Sequence, residues 1–220
     1  MKFTELNLQS EILQAISDLE FENLMPVQEE VIPILLNKNI DIIALAQTGT
    51  GKTATFGIPI IQNLDYSKKE TEALILAPTR ELCVQIANDL ISYAKYIPQA
   101  TIVAVYGGAN IETQIKKIKK GAKIIVATPG RMLDLINRNV IDISNINVAV
   151  LDEADEMLTM GFQESLNAIL AETPKNKNTW LFSATMPTEV ENIAHTYMTD
   201  PTTITIGSRN AGAENVEHYY

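Results

Sequence analysis

Apolar residues in this chain follow two rhythms. Short, near-continuous apolar runs occupy 41–46, 73–77, 101–106, 123–127, 147–151, 179–183 and 202–206. Runs of this length, bounded by polar residues, predict strands buried on both faces. Between them, apolar positions recur every three or four residues. Examples are Ala54, Ile58, Ile61 and Leu64; Leu82, Ile86, Leu90, Tyr93 and Ile97; and Ile111, Ile115 and Ile118. The same spacing recurs at Met132, Leu135 and Ile136, across one helix over 157–170, and over 189–198. Each set predicts a helix with one buried face. Two more helices precede the first strand, one with Ile12, Leu13, Ile16 and Leu19 and one with Val27, Val31, Ile34 and Leu35. The alternation predicts an α/β fold, a mostly parallel central sheet with helices on both faces. In such sheets ligands bind beyond the carboxyl ends of the strands, so the polar strings that follow strands are where chemistry is expected.

Composition narrows the setting. At 220 residues and 46% hydrophobic, the chain sits at the upper end of one α/β domain and can bury a large core. No apolar run approaches a membrane span, and the segment with Lys2 and Glu5 lacks the apolar core of a secretory leader. The single cysteine, Cys83, excludes an intramolecular disulfide and reads as a buried thiol. A soluble cytoplasmic protein is expected. The net charge of −10 excludes holding nucleic acid by bulk electrostatics. Any nucleic acid must meet a local set of donors, and binding by this chain alone should be weak and salt-sensitive. Lys116, Lys117, Lys119 and Lys120 read as the solvated face of a helix rather than as an RNA-binding patch.

The first strand runs into Ala46-Gln47-Thr48-Gly49-Thr50-Gly51-Lys52-Thr53, the Walker A pattern. Glycines at the bend keep side chains away, so successive N–H groups can ring a polyphosphate. The following helix turns its positive end toward the anion. Lys52 adds a mobile charge for the outer phosphates, and Thr53 a hydroxyl for Mg²⁺. The second strong string is Val148-Ala149-Val150-Leu151-Asp152-Glu153-Ala154-Asp155. Crowded carboxylates repel unless a cation offsets them, and magnesium on a nucleoside triphosphate is such a cation. Asp152 would hold it through water, and Glu153 would orient and deprotonate an attacking water.

Asp152-Glu153-Ala154-Asp155 after a Walker A string resembles the DEAD-box family of ATP-dependent RNA helicases. Further strings resemble that family's motifs in order: Pro78-Thr79-Arg80-Glu81-Leu82, Gly107-Gly108, Thr128-Pro129-Gly130-Arg131 and Ser183-Ala184-Thr185. The prolines end strands, the threonines and arginines offer donors beside fresh helix N-termini, and the glycines admit a sugar–phosphate backbone. These groups read no base, so the resemblance implies sequence-independent RNA binding through Pro78, Thr79, Arg80, Gly107, Gly108, Thr128, Pro129, Gly130 and Arg131. Taken singly, these strings read better as ordinary turn and capping chemistry, with Thr79 and Thr128 as N-caps; taken together after four strands, they do not. The resemblance also implies that Ser183 and Thr185 bond to Asp155 and serve coupling.

Residues 20–28 resemble the family's Q motif, within a Q-motif region over 1–30. There Gln28 would read an adenine edge and Phe21 would stack on the base, with Phe3 as the isolated upstream aromatic or a core residue. Glu20, Leu24 and Met25 stand where glycine, proline and a hydroxyl residue are common. Met25 removes a hydroxyl that would tie this segment to the phosphate loop.

The resemblance therefore implies one RecA-like domain over 1–206, with 207–220 leading toward an absent second RecA-like domain. That partner would supply arginine fingers and the rest of the RNA track, and no His-Arg-Ile-Gly-Arg-type string occurs here. The fragment is expected to be monomeric, to use ATP and Mg²⁺, and to hydrolyse little alone, because missing arginines remove a factor of order 10³–10⁵ in rate. Two other classes stay open: a different P-loop NTPase such as a GTPase, and a non-hydrolysing RNA clamp or regulatory module. The first lacks an Asn-Lys-x-Asp string, and intact Lys52, Asp152 and Glu153 argue against the second.

Overall fold

Each of the seven apolar runs is a strand in the computed structural model, which describes residues 1–47 and 49–206. The strands are β1 (Ile42–Leu45), β2 (Ala73–Leu76), β3 (Ile102–Val105), β4 (Ile124–Ala127), β5 (Val148–Asp152), β6 (Asn178–Ser183) and β7 (Thr202–Thr205). They form one sheet in the order β3-β4-β2-β5-β6-β1-β7, and every pairing is parallel. The expected linker, 207–220, and Thr48 lie outside the described residues.

The helices are α1 (Ser10–Asp18), α2 (Pro26–Asn37), α3 (Lys52–Asn63), α4 (Arg80–Tyr93), α5 (Ile111–Lys119), α6 (Pro129–Asn137), α7 (Ala154–Thr159), α8 (Gln163–Ala171) and α9 (Thr188–Tyr197). A 3₁₀ turn at Phe3–Glu5 comes first. Phe3 is buried, so it packs in the core. The single helix expected over 157–170 is instead two. Gly161 takes a left-handed φ of 82°. Its N–H donates to Leu158 O (2.9 Å) and the Phe162 N–H to Met157 O (3.0 Å), which closes α7 with a Schellman turn.

Both faces of the sheet are covered, which is why the strands read as continuous apolar runs. Ile42, Ala44, Ile75, Val126, Val150 and Phe182 face a layer built from α1 to α4. Ile43, Leu74, Leu76, Ile125, Ala149, Leu151 and Leu181 face the layer from α5 to α9. Each fully buried aliphatic side chain contributes about 1.5–3 kcal/mol. Cys83 lies in the first layer, its thiol donating to Val126 O (3.1 Å), and burial pushes it up to about 12.

At the amino ends of the strands a buried ion pair links Lys123, just before β4, to Glu72, just before β2. Lys123 Nζ also donates to Asp65 O (2.7 Å). Glu72 accepts from Asn147 Nδ2 (3.0 Å) and the Asp65 N–H (3.1 Å). The pair fixes the starts of β2, β4 and β5 in one network.

Candidate functional site

The loop after β1 and the acids after β5 meet at the carboxyl edge of the sheet. Only β6 lies between the two strands. Ala46 is buried and its N–H donates to Ser183 O (3.0 Å), which anchors the loop's start to the end of β6. Thr50 Oγ1 donates to Gln47 O (2.8 Å) across the bend. Gly51, at φ 85°, is the N-cap of α3. Its left-handed backbone favours glycine, and a Cβ there, 2.4 Å from Gln28 Nε2, would push the Gln28 amide from its place.

The turn delivers Lys52 into the protein interior. Its side chain is 7% exposed, its Nζ has no hydrogen-bond partner among the described residues, and Asp152 Oδ1 lies 3.9 Å away. A buried ammonium without hydrogen bonds is costly, and such groups in native proteins call for an explanation. A polyphosphate oxygen would satisfy it. Thr53, the next residue, is half-buried.

Asp152 ends β5 and is almost fully buried. Burial pushes its carboxyl up to about 6; Lys52 pulls the other way, and Glu153 and Asp155 push it up further. Glu153 holds a left-handed backbone, φ 53° and ψ 53°, with its N–H donating to Asp152 Oδ1 (3.0 Å). For a residue with a Cβ this conformation costs about 1–2 kcal/mol. Such strain concentrates at functional sites. Asp155 lies at the start of α7. Its N–H donates to Ser183 Oγ (3.3 Å), and its Oδ2 accepts from the Thr185 N–H (2.9 Å) and hydroxyl (2.7 Å). Burial raises the Asp155 carboxyl, but these hydrogen bonds outweigh it and hold the group below its usual range.

The donor set suits a magnesium nucleotide. Among the described residues no three Cys, His, Asp or Glu side chains converge on a metal point. One carboxylate and one hydroxyl fit an ion that keeps waters and is shared with phosphates.

Residues 20–28 flank this loop. Gln28 is buried, accepts from the Met25 N–H (2.9 Å) and donates to Gly51 O (3.1 Å). Both ends of its amide are thus bonded within the chain, and the tie to the phosphate loop runs through Gln28. Phe21 is exposed and stacks on Phe3 with centroids 6.3 Å apart.

The loops after β2, β3 and β4 open at the same edge of the sheet. Pro78 is buried, and Thr79 caps α4 by accepting from the Leu82 N–H (3.2 Å). Thr128 precedes α6 without a side-chain cap, and Pro129 is that helix's buried first residue. Arg80, Gly107, Gly108 and Gly130 are exposed. Arg80 lies 5.1 Å from the centroid of the Tyr106 ring. Arg131 is turned inward: it donates to Ala109 O (3.3 Å) and Gln114 Oε1 (2.9 Å).

The family model for DEAD/DEAH box helicases matches residues 25–193. The chain belongs to that family. It is 46% identical over 220 residues to ATP-dependent RNA helicase CshA of Limosilactobacillus reuteri, a match covering 100% of this chain and 44% of that protein. It is 44% identical over 215 residues to ATP-dependent RNA helicase DeaD of Haemophilus influenzae, covering 98% of this chain and 35% of that protein. A solved DEAD box protein from the hyperthermophile Methanococcus jannaschii superimposes with a TM-score of 0.89 at 46% identity, covering 93% of this chain and 56% of that one. The chain therefore spans less than half the length of these two curated relatives. No helix among the described residues is long and apolar enough to cross a membrane.

In this DEAD-box domain two contributors were not anticipated from the motifs. Tyr106 lies under Arg80, and Gln114 braces Arg131. Only Gln114 had a sequence signal: it stands three residues after Ile111 and four before Ile118, on the buried side of α5.

Proposed function

We propose that residues 1–206 are the ATP-binding RecA-like half of a cytoplasmic, ATP-dependent RNA helicase. The observation that carries this reading is the buried Lys52 Nζ, without a hydrogen-bond partner among the described residues and 3.9 Å from Asp152 at the carboxyl edge of the sheet. The loop 46–53 would wrap the phosphates with its N–H groups, and Lys52 would neutralise the outer ones. Magnesium, when bound, supplies Lewis-acid screening of phosphate charge, with Thr53 and Asp152 as its protein-side holders. Glu153 would orient the attacking water and take its proton. Phe21 and Gln28 would read adenine, Gln28 exchanging its bond to Gly51 O for the base edge. Asp155, Ser183 and Thr185 would transmit the state of the acids to the connection between β6 and α9.

RNA would lie across the loops after β2, β3 and β4, its phosphates meeting Thr79, Arg80, Gly107, Gly108, Thr128 and Gly130. Pro78 and Pro129 would fix those loops, and Arg131 would hold the Gly107–Gly108 turn in place from behind. A second RecA-like domain would complete the site, and this half alone would be a monomer that turns over little ATP. In the chain joined to such a domain, Glu153→Gln should leave ATP binding intact and lower RNA-stimulated hydrolysis by about 10²–10⁴-fold. Retained hydrolysis would remove Glu153 from the base role. Robust RNA-stimulated turnover by this chain alone would contradict the dependence on a second domain.

A further inference from the structure

Helix α5 ends in Lys116, Lys117, Lys119 and the C-cap Lys120, in a chain of net charge −10. All four are exposed. Among the described residues none has a carboxylate within salt-bridge distance, whereas Lys68, Lys95, Lys123 and Arg138 each do. The helix dipole favours cations at this end. It does not by itself call for four unpaired ones in five positions of an acidic protein.

The helix is also braced against the candidate RNA loops. Buried Gln114 donates to Tyr106 O (3.1 Å) and accepts from Arg131, which in turn holds Ala109 O. Asn110 caps the helix by accepting from the Thr113 N–H (3.1 Å), directly after the Gly107–Gly108 turn. A groove of about 320 Å³ lies between α4 and α5, floored by the edge strand β3 and walled by Asn88, Asn110, Thr113 and Lys117. Its lining includes Tyr106 and Ala109 on the turn as well as Lys117. At the helical rise, the lysines lie about 9–15 Å along the axis from Asn110.

We propose that this lysine face of α5 is an accessory RNA-backbone site, taking the phosphates of the strand where it leaves the Gly107–Gly108 turn. The inference rests on the RNA-binding reading above and adds a second contact zone to it. Exposed positive charge on a rigidly held helix that begins at a candidate backbone-binding loop, with Glu112 the one acid between them, fits a polyanion that runs on past the loop. The polar side chains there are the lysines, Asn88, Asn110, Thr113 and Gln114, which suit phosphate and sugar; the rest of the groove is apolar, with Ile91, Ile102 and Tyr106 in its lining. The site should therefore lengthen the RNA footprint without adding sequence preference.

The test compares fluorescently labelled single-stranded RNAs of about six and about twenty nucleotides by anisotropy, using this chain at several salt concentrations. The variant carries Lys116→Gln, Lys117→Gln and Lys120→Gln, which remove charge without opposing the helix dipole, and circular dichroism checks its fold. Affinity for the longer RNA should fall about tenfold at low salt, and its log–log salt slope should become shallower by about 2, the value for three lost phosphate contacts on a single strand. Affinity for the short RNA should stay within twofold. Unchanged binding of the longer RNA, or an equal loss for both lengths, overturns the accessory site. If Arg80→Gln weakens both lengths while the lysine variant weakens neither, the RNA reading stands and this inference fails. If the wild-type chain binds neither length, the RNA reading itself fails. Competition by polyglutamate as strong as by unlabelled RNA would assign the face to an acidic protein and overturn the RNA site.

Discussion

Two buried lysine–carboxylate pairs sit at opposite ends of the same sheet, and they differ in what surrounds them. At the amino end, Lys123 and Glu72 are in direct contact, and Asp65 and Asn147 supply the remaining hydrogen bonds. At the carboxyl end, Lys52 and Asp152 stand 3.9 Å apart, and among the described residues Lys52 Nζ has no hydrogen-bond partner. Charges removed from water need both Coulomb attraction and hydrogen bonds to offset desolvation. The first pair has both and reads as architecture. In the second, Asp152 accepts only from the Glu153 N–H and Lys52 has no hydrogen bond among the described residues, and Glu153 holds a strained backbone. A domain that tolerates this at one edge keeps polar groups ready for a ligand, and the contrast separates a structural charge pair from a functional one.

The largest expected effect is at the satisfied pair. Lys123→Ala would leave Glu72 buried without its cation and should lower stability by about 3–5 kcal/mol in urea unfolding. Nucleotide affinity of the folded fraction should not change. A loss below 1 kcal/mol would remove the structural role assigned to that pair.

The next effect is at Asp152, in protein freed of metal by chelation. Its folded carboxyl is raised to about 6, above the ordinary unfolded value. The folded state therefore binds the proton more tightly, and this group's contribution becomes unfavourable as pH rises through that window. Asp152→Asn should stabilise the apo protein by about 1–3 kcal/mol at pH 7.5, and the gain should vanish as pH falls toward about 4. A variant less stable than wild type at pH 7.5 would mean that the carboxylate is well compensated, as Glu72 is.

The smallest effect is at Gln28. Because its amide already bonds Gly51 O and the Met25 N–H, reading a base exchanges one hydrogen bond for another. Gln28→Ala should reduce the preference for ATP over GTP by about 1 kcal/mol, a few-fold, in competition binding. Undiminished discrimination would take Gln28 out of base recognition.

Local signals made much of this molecule legible. The seven strands, the glycine turn before Lys52 and the acids after β5 were readable because each depends on neighbours in sequence. The order β3-β4-β2-β5-β6-β1-β7 was not, since pairing depends on partners far away in the chain. The break between α7 and α8 was signalled by Gly161, but the apolar spacing ran through it: Met157 and Phe162 remain buried or half-buried on both sides of the turn. Glu72 and Lys123 stood in plain view as charges before apolar strands, yet nothing local says that they meet across 51 residues. The same holds for Arg131, whose guanidinium read as a phosphate donor and here also bonds Ala109 and Gln114.

We propose that Lys52 and Asp152 are held apart for a magnesium nucleotide, which thermal unfolding of this chain and of Lys52→Met, with and without millimolar ATP and magnesium, can decide. The nucleotide should raise the melting temperature of the wild type and leave that of Lys52→Met where it was. An equal rise in both proteins, or no rise in the wild type, would contradict it.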